Sequence, residues 1–207
     1  MEIEIDYLRN EVHKIGQIQD MRLIAILIII CFTSCSILKE DQNKRLKENN
    51  DLAFQLSQIY GADQVIRQVP GNSDRIIVMQ KIDSLNFVRI IDFIKEHGYP
   101  NEKLLGESYN KNESVCLAAP SILLHNSSKV VQKPTFNLLK SEVEKGNMKP
   151  EALALILDKY YVYYKGYSLY HTQFKKACIE NKELVNKARL EIGLSALPDS
   201  LFTGSCN

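Results

Sequence analysis

The pattern of apolar and polar positions along the chain is typical of helices rather than strands. The clearest case is Ser84–His97, where apolar residues recur at helical spacing. Asp83 precedes this stretch as an expected N-cap, and Gly98 followed by Pro100 predicts its end. The face expected to be buried carries Leu85, Val88, Ile91 and Ile94, widened by Ile90 and Phe93.

Proline and glycine mark the ends of further helices, because proline is favoured in the first turn and glycine just after the last. The segments bounded in this way, or by glycine alone, are Pro134–Lys145, Pro150–Lys165 and Glu180–Glu191. Another helix reaches Leu124 and begins near Asn112 or Ser114, with Pro120 either kinking it or marking its true first turn. Earlier, a helical piece carries Asp63, and Gly61 before it is a possible break.

The same pattern sets the fold class. Residues 69–72 predict a turn, and Ile76–Met79 has strand-like composition, but no strand pattern competes strongly. We predict an all-α fold, a single compact domain of about six helices over residues 52–203.

The N-terminal region contains a short apolar run, residues 23–32, preceded by Met21 and Arg22. The run is close in length to the apolar region of a signal peptide, whereas a membrane span needs about 20 residues. Phe32-Thr33-Ser34-Cys35 resembles the lipobox of bacterial lipoproteins, with phenylalanine in place of the usual leucine. The resemblance implies cleavage before Cys35 and lipid on its thiol; the alternative is an uncleaved N-terminal anchor.

Residues 1–20 do not fit a signal peptide, because they are rich in acidic residues where a positive segment is expected. We therefore expect translation to begin at Met21, which makes residues 1–20 a mis-assigned extension and 21–34 the signal peptide. Residues 35–51 are then the lipidated cysteine and a polar tether. These assignments predict attachment to a bacterial membrane through Cys35, on the periplasmic or cell-surface side.

Composition excludes several classes of function. The formal net charge is +1, with no clustered basic face, so nucleic acid is not an expected partner. Apart from Cys31 and Cys35, the cysteines are Cys116, Cys178 and Cys206, which allow at most one intramolecular disulfide. Cys116 stands in an apolar run and is expected in the core. No metal-binding, nucleotide-binding or nucleophile motif is present, and we predict neither a metal nor an organic cofactor.

Two polar residues stand where apolar residues are expected. Asp158 follows the apolar run 152–157, and a carboxylate there is costly unless it is paired or hydrogen-bonded. It is a site carboxylate, part of a structural salt bridge, or a residue at the edge of the helix face that points to water. His125 ends another apolar run and could serve as a general base or interact with the helix C-terminus.

Two further patterns concern side chains that could face a site. Asp63 and Arg67 are one helical turn apart and can pair. Six tyrosines could flank a pocket or form a face covered by the tether or the membrane interface. They are Tyr160, Tyr161, Tyr163, Tyr164, Tyr167 and Tyr170.

The same polar residues carry a resemblance to an uncharacterised family of bacterial domains, found in secreted or lipid-anchored proteins, over about residues 52–200. The family motifs are Asp-Gln-x-x-Arg, Gly-Trp-Pro, a histidine after an apolar helix, Asp-Arg and Tyr-Gly-Thr-Gln. Their counterparts here are Asp63-Gln64 with Arg67, Gly98-Tyr99-Pro100, His125, Asp158-Lys159 and Tyr170-His171-Thr172-Gln173. The closing Arg-x-x-x-Gly-Leu corresponds to Arg189, Gly193 and Leu194.

The resemblance implies that six polar residues converge: Gln64, Arg67, His125, Asp158, Tyr170 and Gln173. Such a group could bind a small polar or anionic ligand, or form a buried network that holds helices together. The leading hypothesis is a lipid-anchored domain that binds a ligand or an envelope protein. The alternatives are a hydrolase with His125 as base oriented by Asp158, and a structural envelope protein.

Overall fold

The computed structural model of the chain describes residues 41–71, 73–204 and 206. Two compact units are distinguished by their internal contacts, residues 1–48 and 49–207.

The expected signal peptide 21–34, the start at Met21 and the lipidated Cys35 lie outside the described residues. In the first unit, residues 41–48 are helical and largely exposed. The expected polar tether is thus helical over the part that is described.

The second unit is all-α, as predicted. Its helices are α1 (49–68), α2 (Ser73–His97), α3 (Glu102–Leu105), α4 (Glu107–Lys111), α5 (Glu113–Cys116), α6 (Ala118–His125), α7 (Ser127–Val130), α8 (Lys133–Glu144), α9 (Pro150–Tyr160) and α10 (Lys182–Glu191). Tyr161–Lys165 continues α9 as a π-helix, and Ile179–Asn181 and Asp199–Leu201 are 3₁₀ turns. Within the described residues there is no β-strand, only two isolated bridges.

The helices are more numerous than the six expected, because four of them are single turns. Proline in the first turn and glycine after the last turn mark α8 and α9 as predicted, and Gly146 and Gly166 both have positive φ. Pro120 stands in the first turn of α6 and does not kink a longer helix. Gly61 does not interrupt α1.

The core is built around α9, which contacts α6, α7 and α8. Leu153, Ala154, Ile156 and Leu157 are all buried, and Asp158 is buried beside them. Burial of a large aliphatic side chain contributes about 1.5–3 kcal/mol, so this apolar run is the centre of the fold's stability. The carboxylate of Asp158, which follows this run, is as fully buried as the apolar side chains.

The predictions for α2 were partly wrong. The helix begins at Ser73, so Asp83 lies in its interior and is not an N-cap. Ile76–Met79 is helical as well. Leu85 and Val88, expected in the core, are exposed, whereas Asn86 is buried and its Nδ2 donates to the carbonyl of Ile59. The middle of α2 therefore contacts α1 through a polar side chain.

The turn after α2 is held by a second buried carboxylate, that of Glu142 at the end of α8. Its Oε2 accepts hydrogen bonds from the Tyr99 backbone N–H at 2.9 Å and from Asn147 Nδ2 at 2.8 Å. Its Oε1 accepts from Lys145 Nζ at 2.8 Å. Gly98 has φ +87°, and a Cβ there would lie 3.2 Å from Glu142 Oε2. Both the conformation and the space favour glycine at this position.

Stability should depend on the ionisation of Glu142. Burial raises its pKa, but hydrogen bonds from Lys145, Tyr99 and Asn147 outweigh burial and lower it below 4.5. A lowered folded-state pKa contributes stability that is present above the unfolded-state pKa and is lost as the pH falls. We therefore expect Glu142→Gln to be less stable than wild type at about pH 7, with the difference shrinking below about pH 4. Urea unfolding at several pH values measures this.

The control for that experiment is Glu144→Gln on the same helix. Glu144 is exposed, and its carboxylate is 3.8 Å from Lys140 Nζ, so the substitution should have little effect at either pH. A pH-independent loss in Glu142→Gln would contradict the assignment to the ionised carboxylate.

Cys178 and Cys206 form a disulfide, and Cys116 is a free, partly buried thiol. Cys116 was expected in the core, but its Sγ lies near the helix surface and donates to Glu113 O at 3.5 Å.

None of the helices described between residues 41 and 204 has the length and apolar character needed to cross a bilayer.

Removing the disulfide by the pair Cys178→Ser and Cys206→Ser should lower the free energy of unfolding. The bond joins residues 28 positions apart, and loop-closure entropy for a loop of that size predicts a loss of about 3.5 kcal/mol. Denaturant unfolding measures the loss, with Cys116→Ser as the control. Alkylation of the unreduced, denatured protein that labels Cys178 would contradict the pairing.

Candidate functional site

A polar cluster joins α1, α2 and α6. Asp63, with a fully buried side chain, is its centre: Oδ2 accepts from Gln64 Nε2 at 2.8 Å, and Oδ1 lies 2.9 Å from Arg67 Nη1. Oδ1 also lies 3.0 Å from His125 Nδ1. Arg67 extends the cluster by donating through Nη2 to Asp83 Oδ1 at 2.8 Å. We refer to these five residues as the Asp63 cluster.

Local structure explains how these side chains meet. One turn of α1 separates Asp63 from Arg67, so they share a helix face. Asp83 projects from the interior of α2, and His125 is the last residue of α6. Asn126, immediately after α6, fixes this junction, since its Nδ2 donates to the carbonyls of Asp83 and Ile122.

His125 is oriented by a carboxylate and remains accessible. Its side chain is 26 % exposed, although Asp63 beside it is completely buried. If Nδ1 carries the proton that it shares with Asp63, Nε2 has a free lone pair. In the described part of the chain no residue hydrogen-bonds to Nε2. The arrangement can therefore accept a proton or a hydrogen bond from a molecule outside the protein.

Lys159, on α9, is close enough to the Asp63 cluster to feel the charges of Arg67 and Asp83. Its pKa is lowered by burial and by the positive charge of Arg67, while Asp83 acts in the opposite direction. Among the described residues, no carboxylate lies within 4 Å of its ammonium group. Arg67, by contrast, is paired with both Asp63 and Asp83. Lys159 is thus a partly buried cation without a direct acidic partner.

The carboxylates and the imidazole of the cluster have the spacing of metal ligands. One potential ligand atom from each of Asp63, Asp83 and His125 lies within 4.8 Å of the others. The guanidinium of Arg67, however, contacts both carboxylates and already supplies the positive charge. We therefore assign no metal to this cluster.

Asp158 belongs to a separate constellation. Its Oδ1 accepts from the backbone N–H groups of Leu169 at 2.7 Å and Tyr170 at 3.1 Å. Its Oδ2 accepts from Ser168 Oγ, from Thr172 N and from Thr172 Oγ1 at 2.7, 3.0 and 2.8 Å. One buried carboxylate thus receives five hydrogen bonds from the loop 168–172. This charge is satisfied by backbone and hydroxyl dipoles rather than by a cation.

His171 in this loop has φ +57°, a left-handed conformation that glycine adopts without strain. Its Nδ1 accepts a hydrogen bond from the backbone N–H of Ala177 at 3.1 Å. This bond links the loop to the chain that follows it. Burial, followed by the positive charges of Arg189 and Lys176, lowers its pKa, so the neutral ring that this hydrogen bond requires is favoured. Arg189 Nη1 donates to the carbonyl of Tyr170 and closes the same loop.

The six residues expected to converge are found in two groups. Gln64, Arg67 and His125 meet in the Asp63 cluster, whereas Asp158 binds the backbone of Tyr170.

The sixth residue, Gln173, is exposed and makes no hydrogen bond with another described residue. His125 is oriented by Asp63 and not by Asp158, which the hydrolase hypothesis had required. The sequence also did not indicate Asp83 or Ser168 as partners. Asp83 resembled an N-cap, and a lone serine gives no signal.

The tyrosine series is divided between the surface and the interior. Tyr163 and Tyr164 are 69 % and 65 % exposed, whereas Tyr170 is buried. The ring centroid of Tyr161 lies 5.7 Å from that of Tyr167 and 6.3 Å from that of Tyr170. Tyr161, Tyr167 and Tyr170 therefore form a cluster of neighbouring aromatic rings.

Comparisons with known proteins suggest no function for these residues. No protein-family model, no curated protein and no solved structure matches the chain.

Proposed function

We propose that this chain is a lipid-anchored binding protein of the bacterial envelope, and that its helical domain binds a small anionic ligand at the Asp63 cluster. The observation that carries the proposal is His125, oriented by the buried Asp63 and still 26 % exposed. Lys159 supplies a neighbouring cation without a direct acidic partner. An anion placed between them would accept hydrogen bonds from the Lys159 ammonium group and, in the imidazolium form of His125, from its Nε2–H. These bonds would restore the stabilisation that Lys159 loses on burial.

The probes for this site are inorganic phosphate and acetate, titrated into the purified full-length chain and followed by the imidazole NMR signals. We expect one of them to shift the His125 resonances in a saturable way. Lys159→Met should weaken that binding about tenfold, which corresponds to one charge-assisted hydrogen bond. Lys149→Met, which removes an exposed lysine at the start of α9, is the matched control and should bind like wild type. Failure of both anions to shift His125 would contradict the proposal.

The envelope location is supported by two independent features. The lipobox-like Phe32-Thr33-Ser34-Cys35 requires export of the following domain, and disulfides such as Cys178–Cys206 are characteristic of oxidising compartments. We expect a labelled fatty acid to be incorporated into the wild-type chain and not into Cys35→Ala. Label retained by Cys35→Ala would exclude the lipid anchor. Mass spectrometry of the unprocessed precursor distinguishes Met21 from Met1 as the first residue.

General-base catalysis is the second candidate, because a buried carboxylate that orients an exposed imidazole is the arrangement it requires. In this role His125 Nε2 would remove a proton from water or a hydroxyl group, and Asp63 would stabilise the imidazolium. Nitrophenyl esters and nitrophenyl phosphates are suitable probes for hydrolysis. Loss of about 100-fold or more in both His125→Asn and Asp63→Asn would support catalysis. Turnover unchanged by His125→Asn would remove this role.

A further inference from the structure

A second candidate site lies between the start of α8, the end of α9 and α10. It is a cavity of about 320 Å³ with apolar walls that include Leu157, Leu169 and Ala188. Phe136 and Tyr161 supply aromatic surface. Ligand pockets have volumes of about 300–1,000 Å³, so the cavity has room for a small ligand only.

Tyr170 places a polar group at this cavity. Its side chain is only 4 % exposed, and its backbone is fixed by Asp158 on one side and Arg189 on the other. The phenolic hydroxyl hydrogen-bonds to no other described residue. Tyr161 and Tyr170 both line the cavity, and their ring centroids are 6.3 Å apart. Burial, then Tyr161, Glu191 and Asp158, raise the pKa of Tyr170, so its hydroxyl stays protonated as a hydrogen-bond donor. A ligand in the cavity could accept a hydrogen bond from this hydroxyl.

The rim of the cavity carries one charge of each sign. Lys187 and Glu191 stand four residues apart on α10, and both are exposed and line the opening. Within the described chain, neither is within 4 Å of an opposite charge, so they do not form an ion pair with each other. Residues four apart on a helix have Cβ atoms about 5–6 Å apart. A ligand with its two charges on neighbouring atoms can therefore face both.

We propose that this cavity binds a free α-amino acid with an apolar side chain. The side chain enters the space between Leu157, Tyr161 and Ala188. The α-carboxylate faces Lys187 and accepts a hydrogen bond from the Tyr170 hydroxyl, and the α-ammonium group faces Glu191. The site shares no side chain with the Asp63 cluster, so it stands or falls independently of the function proposed for that cluster.

The test compares three ligands of similar shape on the purified full-length chain by calorimetric titration. L-phenylalanine has both charges, its amide lacks the carboxylate, and N-acetyl-L-phenylalanine lacks the ammonium group. We expect L-phenylalanine to bind most tightly, by about two- to fivefold over each analogue, as expected for exposed charge pairs.

Two rim variants assign each preference to its residue. Lys187→Met should abolish the preference over the amide, and Glu191→Gln the preference over the N-acetyl compound. Glu183→Gln, an exposed residue in the first turn of α10, is the control and should keep both preferences. Because these substitutions are at exposed positions, loss of folding should not obscure the result. Absence of saturable binding to wild type, or equal binding of the three ligands, would overturn the proposal.

Discussion

Replacing Asp158 with alanine is expected to lower the free energy of unfolding by about 3–5 kcal/mol. The carboxylate accepts five hydrogen bonds, three of them from backbone N–H groups of the loop 168–172. Removing it leaves those donors unpaired inside the protein, or forces the loop to open so that water can reach them. Opening of the loop would also expose part of the core next to Leu157.

The variant Asp158→Asn tests the effect of the negative charge, because asparagine has nearly the same shape as aspartate. The amide keeps one oxygen, which can still accept from Leu169 and Tyr170, but its NH₂ group then faces the N–H of Thr172. Two donors cannot bond to each other, so the asparagine variant should also be destabilised, by about 1–3 kcal/mol. An intermediate loss is therefore the expected result.

The measurement is urea unfolding, combined with hydrogen exchange of the amides at 169, 170 and 172. Both variants should exchange faster at these amides than wild type. Asp92→Ala is the control, because Asp92 is exposed and pairs with Lys95 on the surface, and the loss should be below about 0.5 kcal/mol. If Asp158→Ala lost less than 1 kcal/mol or so, or if the amides stayed protected, the carboxylate would not organise the loop.

The sequence predicted the features that depend on neighbouring residues. Proline and glycine marked α8 and α9 correctly because both residues act through their own backbone geometry. Asp83 was assigned wrongly for the opposite reason. An aspartate can accept from a free helix N–H or from a distant guanidinium, and only the packing of α1 against α2 brings Arg67 to it.

The same limit applies to the buried face of α2. Hydrophobic periodicity placed Leu85 and Val88 inward, yet Asn86 is the buried residue, and its amide donates a hydrogen bond to the carbonyl of Ile59. Periodicity scores apolar character alone and cannot register a carbonyl on another helix. Farther along α2, Ile90 and Ile94 are buried in the hydrophobic core, and the prediction is correct there.

For the candidate site, the sequence identified the unusual residues and not their partners. Asp158 stood out because a carboxylate after an apolar run must be satisfied, and the structure supplies the loop 168–172 as the means. His125 and Asp63 are separated by 62 residues, and no local rule links them. Side-chain chemistry could thus be predicted from sequence, whereas the pairing depended on how the helices pack.

Arg67→Met is expected to cost about 3 kcal/mol, because it removes one partner of a buried ion pair and leaves the other charge in place. Asp63, fully buried, would retain Gln64 and His125 as hydrogen-bond partners but would lose the guanidinium at 2.9 Å. Methionine keeps most of the aliphatic volume of arginine, so the loss reports on charge rather than packing. Urea unfolding gives the magnitude. Arg89→Met is the matched control, since Arg89 on α2 has no acidic partner within the described chain.

The double variant Asp63→Asn with Arg67→Met decides whether the cost comes from the unpaired charge. Removing both charges should recover at least half of the loss, because the remaining amide can still bond to Gln64 and His125 without requiring a cation. If the double variant were as unstable as the sum of the two single variants, Arg67 would act on stability through contacts other than Asp63. In that case Asp83, its second partner at 2.8 Å, would be the residue to replace next.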